Sequence, residues 1–270
     1  MAYAAINGQR IYYRDTSHEA GSETGSQHPP LAFSHGLLMD HEMFGPQLQC
    51  FRHRHRCIVW DERGHGNTAG DSIQPFSYYD SADDLASLLK HLQTGPAVLV
   101  GMSQGGYLSL RFALTHPELV RGLVLIDSQA GLEEPDKLAS YLPMVESWAQ
   151  QGLQAPVAST IEQIIIGTSY PHAQDWKDKW AHWKPHNLNA CFQTLAERDD
   201  ITARLSEIEA PTLVIHGDAD LAIPMERAKI VADKIPHARL VRVAGASHAA
   251  NLTHPEAVNT AIAEFLEELG

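Results

Sequence analysis

The sequence predicts an α/β fold: a mostly parallel, eight-stranded sheet with helices on both faces and a helical insertion after the sixth strand. Three observations carry that expectation. Short apolar runs alternate with helical stretches up to about residue 130 and again from about residue 210. Several of these runs are apolar throughout, as strands buried on both faces must be, and that is the signature of a parallel sheet between helix layers. Between residues 131 and 209 the rhythm lapses into helical stretches. The 270 residues suit one large domain carrying an insertion, since domains usually run about 100–200 residues and α/β folds reach about 250.

The elements follow in order. Ala2–Ile6 and Gln9–Asp15 read as a hairpin, because Asn7-Gly8 between them favours a type I′ turn. Residues 16–30 are polar and Gly/Ser-rich and read as an exposed loop. Leu31–Ser34 is a strand, Met43–Phe51 a short helix and Cys57–Trp60 a buried strand. Asp80–Leu92 is an amphipathic helix with Leu85, Leu88, Leu89 and Leu92 on one face. Ala97–Val100, Gln104–Thr115 and Leu123–Ile126 give strand, helix and strand. Within the insertion, Ile161–Ile166 fits either a short strand or a buried helix turn. The alternation resumes with strand Pro211–His216, helix Met225–Lys234, strand Leu240–Val243 and helix Pro255–Leu269. The core is thus expected at 1–130 and 210–270, with a helical cap at 131–209.

Composition narrows the function. With 44% hydrophobic and 20% charged residues the chain reads as an ordinary globular protein. Lys+Arg number 20 against 33 Asp+Glu, a formal charge of −13, which opposes nucleic-acid or anionic-membrane partners. No run of about 18 apolar residues exists to span a bilayer. The N-terminus lacks the basic and apolar regions of a secretion signal, so a cytoplasmic location is expected. Cys50, Cys57 and Cys191 have no metal-ligand spacing and fit a reducing compartment. Sixteen His are unusual. Most have plain structural roles open to them. His53 and His55 alternate with Arg in a stretch that reads as a solvated helix end, and His182 and His186 lack the further ligands that a metal site needs. No metal is expected.

The chemistry is carried by Gly101-Met-Ser-Gln-Gly105, a Gly-x-Ser-x-Gly pattern set between a strand and a helix. Such a turn lifts Ser103 out at the carboxyl end of the sheet, and its glycines let strand and helix approach. A serine hydroxyl needs a base to attack. His248, in a loop after a late strand, can supply one. The imidazole needs an acceptor to fix its tautomer. Asp218 and Asp220 both follow the strand at 211–216, and Asp127 follows the strand at 123–126. Asp220 is preferred, because Asp218 adjoins Gly217 and is better placed to stabilise the turn. An oxyanion formed in the attack needs preorganised donors. The N–H of Gln104, at the helix start, and that of Leu37, after His35-Gly36, are the candidates.

These motifs resemble the α/β-hydrolase superfamily. The resemblance rests on Phe33-Ser-His-Gly36, Asp61-Glu-Arg-Gly-His-Gly66, Gly101-Met-Ser-Gln-Gly-Gly106, His216-Gly-Asp-Ala-Asp220 with Pro224, and Gly245-Ala-Ser-His248. They run in order over nearly the whole chain. The resemblance implies the α/β-hydrolase fold and no cofactor. It also implies structural roles for Asp61, Arg63 and His65, with Arg63 fixing a loop near the site. The segment His248–Asn259, with Asn189–Phe192 before Asp199-Asp200, is similar to 3-oxoadipate enol-lactonases. Phe33–Asp40 is similar to small aryl esterases and their perhydrolase relatives. Ser at position 103 departs from the epoxide hydrolases and haloalkane dehalogenases, which carry Asp there.

Four of the five Trp lie in the insertion, and Trp176, Trp180 and Trp183 follow i, i+4, i+7 spacing. They could roof an apolar pocket or pack the insertion onto the core. Leu38, Met102, Trp148, Trp180 and Ile223 are the expected substrate-binding residues. Lys177, Lys179 and Lys184 read as a solvated face. No Arg or Lys flanks the motifs, which counts against anionic diacid lactones. The expected function is hydrolysis of small, mostly apolar esters or lactones by Ser103, His248 and Asp220. The alternatives are an enol-lactonase or C–C bond hydrolase of aromatic catabolism, and a non-catalytic small-ligand receptor. A homodimer is compatible with this reading.

Overall fold

The computed structural model describes residues 2–18, 28–68, 70 and 73–270. Residues 19–27, most of the expected polar loop, lie outside the described residues. The chain opens with β1 (Ala2–Ile6) and β2 (Gln9–Asp15), and both turn residues take positive φ (Asn7 47°, Gly8 78°), as a type I′ turn requires. Then come β3 (Leu31–Ser34), α1 (Gly45–Phe51), β4 (Cys57–Trp60), α2 (Tyr78–His91), β5 (Ala97–Met102), α3 (Gln104–Thr115) and β6 (Val120–Ile126). Four helices follow: α4 (Pro135–Gln151), α5 (Ala155–Ile165), α6 (Ala173–Ala181) and α7 (Pro185–Ala196). The chain ends with β7 (Thr212–Gly217), α8 (Met225–Lys234), β8 (Ala238–Val243), α9 (Ala250–Thr253) and α10 (Pro255–Leu269).

The eight strands form one sheet in the order β1-β2-β4-β3-β5-β6-β7-β8. Strand β2 runs antiparallel to both its neighbours, and every other pair is parallel. Every residue of β3, β4 and β5 is buried, so these strands show no apolar–polar alternation. The register aligns the carboxyl ends. Ser34 lies opposite Gly101, Met102 opposite Ile126 and Gly217 opposite Val243. The loops leaving these ends carry His35–Leu38, Ser103, Asp127, Asp218–Asp220 and Gly245–His248. Ligands of open α/β sheets bind at this edge.

Some elements differ from expectation for identifiable reasons. Helix α2 starts at Tyr78, ahead of Asp80, because Ser77 and Asp80 form a reciprocal capping box. The run Ile161–Ile166 forms the end of α5, with Ile166 as its C-cap. Ala158, Ile161 and Ile165 are the buried positions of α5, a helical period that a short apolar run does not reveal. His55 is buried, not solvated, and its Nδ1 bonds to the Pro29 carbonyl. No helix among the described residues is long and apolar enough to cross a membrane.

Candidate active site

Ser103 joins β5 to α3 at φ 51°, ψ −113°. A non-glycine residue held there stores roughly 1–3 kcal/mol of strain, which its surroundings must offset. They do so with backbone hydrogen bonds. The Ser103 N–H donates to the Ile126 carbonyl at 2.8 Å. The Ser103 carbonyl accepts from the Gly106 N–H at 2.8 Å and from Ser128 Oγ at 2.9 Å. The motif glycines are steric necessities. A Cβ on Gly101 would lie 2.2 Å from the Gly105 carbonyl oxygen, and one on Gly105 would lie 1.9 Å from that of Ser34.

The residues proposed for catalysis converge. Ser103 Oγ is 2.9 Å from His248 Nε2, and His248 Nδ1 is 2.8 Å from Asp220 Oδ2. Asp220 Oδ1 accepts the N–H groups of Ala222 (2.7 Å) and Ile223 (3.0 Å), which fixes the carboxylate. Burial works against ionisation of Asp220, but the facing His248 and these N–H donors outweigh it and hold its carboxyl below the usual range. Burial likewise disfavours a charged His248, yet the Asp220 carboxylate outweighs it and raises the imidazole's pKa.

The rival acids have other partners. Asp218 pairs with Arg242 and accepts the Gly245 N–H at 2.6 Å, a turn-stabilising role. Asp127 is fully buried and accepts the N–H groups of Gly217 (2.7 Å) and Ala250 (2.9 Å), so it ties β6, β7 and α9 together. Burial, then the charge of Asp220, pushes its carboxyl well above the ordinary range. Asp127, His216 and Asp220 lie close enough to share an ion. Their donor atoms are largely committed, however. Asp220 faces His248, both Asp127 oxygens take backbone N–H groups, and His216 Nε2 bonds to the Ile223 carbonyl at 2.8 Å. His182 and His186 sit on different elements, at the end of α6 and within α7.

Among the described residues, neither the Leu37 N–H nor the Gln104 N–H makes a hydrogen bond. Both donors are therefore uncommitted. His35 holds the Leu37 loop. Its Nε2 accepts the Glu62 N–H at 3.0 Å, so the proton sits on Nδ1, which bonds to the Gly36 carbonyl at 2.9 Å. The Gln104 side chain is clamped as well. Tyr78 Oη donates to its Oε1 at 3.2 Å, and its Nε2 meets Glu62 Oε2. Burial pushes the Glu62 carboxyl up to about 8, so this buried group is mostly neutral at neutral pH. Arg63 pairs with Asp84 of α2, and Asp61 accepts the N–H groups of His41 and Asn67, both at 2.8 Å. These contacts tie the loop after β4 to its surroundings.

Ser103 and His248 open into a cavity of about 110 Å³. Leu38, Met102, Trp148 and Ile223 line it, as expected, and so does Leu37. Trp180 does not line it. That indole is fully buried and donates its Nε1–H to the Leu38 carbonyl at 2.9 Å, so it docks α6 onto the loop after β3. Trp183 lies beyond the end of α6 and packs edge-on against His65, with centroids 4.9 Å apart. Lys179 is not merely solvated. It bridges Asp40 and Glu42, both at 2.7 Å. Sequence reasoning missed Tyr107, Tyr141, Phe192 and Glu133 in the cavity wall. Tyr107 had a signal, since it stands four residues after Ser103, in the first turn of α3. Glu133 had none.

A family profile described as alpha/beta hydrolase fold matches residues 29–255. The chain belongs to the α/β-hydrolase family. Among its relatives, this α/β-hydrolase is 28% identical over 247 residues to 3-oxoadipate enol-lactonase 2 of Acinetobacter baylyi, covering 87% of each chain. It is 28% identical over 253 residues to an Agrobacterium fabrum protein, RutD, named as a carbamate hydrolase, covering 92% of this chain and 97% of that one. In structure it resembles a thermophilic esterase from Thermogutta terrifontis, with a TM-score of 0.86 and 27% identity over 99% of this chain and 98% of the other. The α/β-hydrolase relatives thus include an esterase, an enol-lactonase and a protein named for carbamate hydrolysis.

Proposed function

We propose that the protein is a serine carboxylic-ester hydrolase acting on small esters or lactones through an acyl-enzyme. One observation carries the reading: the hydrogen-bonded line Asp220–His248–Ser103 ends at the floor of a largely apolar cavity. Ser103 Oγ attacks the carbonyl carbon while His248 Nε2 takes its proton. Asp220 holds the proton on His248 Nδ1 and stabilises the imidazolium that forms. The carbonyl oxygen, now an oxyanion, is received by the N–H groups of Leu37 and Gln104. His248 returns the proton to the leaving alcohol, and water then releases the acyl group by the same route. Helices α4 to α7 act as a cap, supplying Tyr141, Trp148, Ile161 and Phe192 to the cavity wall. These residues favour an apolar acyl group.

The test is Ser103→Ala assayed on p-nitrophenyl acetate and butyrate. Loss of the nucleophile should lower kcat by about 10³-fold or more. Turnover close to wild type overturns the reading.

A further inference from the structure

The cavity is mostly apolar, yet one carboxylate lines it. Glu133 lies in the segment between β6 and α4, and its side chain is only 9% exposed. A buried carboxylate is costly unless paired and hydrogen-bonded. Its ionic partner is Arg198, whose side chain is 1% exposed and whose Nη2 lies 3.5 Å from Glu133 Oε2. Charge-assisted hydrogen bonds of this kind usually measure about 2.7–2.9 Å. Arg198 commits its other donors elsewhere. Nε bonds to the Gly131 carbonyl at 3.1 Å and Nη1 to the Leu195 carbonyl at 2.8 Å, and the guanidinium lies 4.6 Å from the Tyr107 ring centroid. Arg198 thus balances the charge of Glu133 but takes little of the carboxylate's capacity to accept hydrogen bonds.

The neighbouring wall has the same character. Tyr107 and Tyr141 line the cavity with Glu133. Among the described residues the Tyr141 hydroxyl makes no hydrogen bond. Burial, then the charge of Glu133, pushes the Tyr141 hydroxyl up to about 12, so it stays a neutral phenol in the same cavity as that carboxylate. Two polar groups with unused capacity therefore share one otherwise oily space with Ser103.

We infer that Glu133 and Tyr141 form a polar subsite for a hydrogen-bond donor on the acyl part of the substrate, a hydroxyl or an ammonium group. The inference rests on the proposed ester hydrolysis and narrows its substrate class. Acyl groups carrying a carboxylate are disfavoured, because they would bring a second negative charge to Glu133.

The test compares four methyl esters by acid release: butyrate, 3-hydroxybutyrate, 3-aminobutyrate and the monoester of succinate. For the wild type, kcat/KM for the hydroxy or amino ester should exceed that for butyrate by about tenfold or more, the value of one hydrogen bond to a charged group. The succinate monoester should be slowest. A higher rate for the amino ester identifies the ammonium as the donor, and a higher rate for the hydroxy ester identifies the hydroxyl. In Glu133→Gln the amino-to-plain ratio should collapse, while the hydroxy-to-plain ratio falls less because the amide oxygen still accepts. Tyr141→Phe, which leaves Arg198 paired, should lower the same ratios and covers the case in which the Glu133 variant does not fold. Identical ratios in wild type and both variants overturn the subsite while leaving ester hydrolysis intact. No turnover of any ester by the wild type overturns both.

Discussion

His248 carries the most consequential electrostatics of any single residue in the site. Its imidazole must be neutral to accept the Ser103 proton. The facing Asp220 raises its pKa above the ordinary 6.5, although burial opposes this. The sign follows directly: kcat/KM should rise with pH through this pKa, so the midpoint of the acidic limb should lie above 6.5. In Asp220→Asn the stabilising charge is gone, so the midpoint should move toward acid and kcat should fall by about 10⁴-fold. A wild-type midpoint below 6.5, or one that Asp220→Asn leaves in place, contradicts these roles. At this scale the sequence was informative where chemistry demands one residue type in one context. Ser103 in its glycine frame and His248 after a strand were both legible. Asp220 was separated from Asp218 by reasoning about the turn, Asp127 was only a further candidate, and the hydrogen-bond partners of Asp218 and Asp127 account for them otherwise. Glu133 was illegible, because a carboxylate in a helical insertion looks like any solvated charge until the fold turns it inward.

Helix α6 shows what a periodic pattern reveals and what it leaves out. The Trp spacing marks one buried face in part: Trp176 and Trp180 are buried on the helix, but Trp183 lies beyond its end and is half-buried. It does not say what that face meets. Trp180 meets a backbone carbonyl of the Leu37–Leu38 loop, and Lys179 meets two carboxylates of the following turn. These contacts join the inserted helices to the loop that presents the Leu37 N–H. Trp180→Phe keeps a smaller aromatic ring, removes the indole N–H donor from the Leu38 carbonyl and leaves a gap in the packing. The lost hydrogen bond should cost about 1–3 kcal/mol and the gap should add to it, read from urea unfolding. An unchanged unfolding midpoint would show that the bond to Leu38 is energetically idle. The strands and helices of the core were legible because two clear periods, 2 and 3.6, or an unbroken apolar run, mark them. The run at Ile161–Ile166 was ambiguous because a few consecutive apolar residues fit either period.

Across the whole molecule, the parallel register of the sheet gathers residues that are far apart in sequence. Ser103 and His248 are separated by 145 positions and meet because β5 and β8 end at the same edge. That convergence was legible from the order of motifs. The shape of the cavity was not, since it depends on how four inserted helices pack over the edge. The formal charge of −13 is a sum over the whole chain and does not describe the cavity. The central claim is that this convergence makes Ser103 a nucleophile. Its most direct test is peptide mapping by mass spectrometry after exposure to a fluorophosphonate. The account predicts a stoichiometric adduct on Ser103 that is lost in Ser103→Ala and slowed in His248→Ala. An unmodified Ser103 in the folded wild-type protein would contradict it and favour a binding protein that keeps these residues without using them.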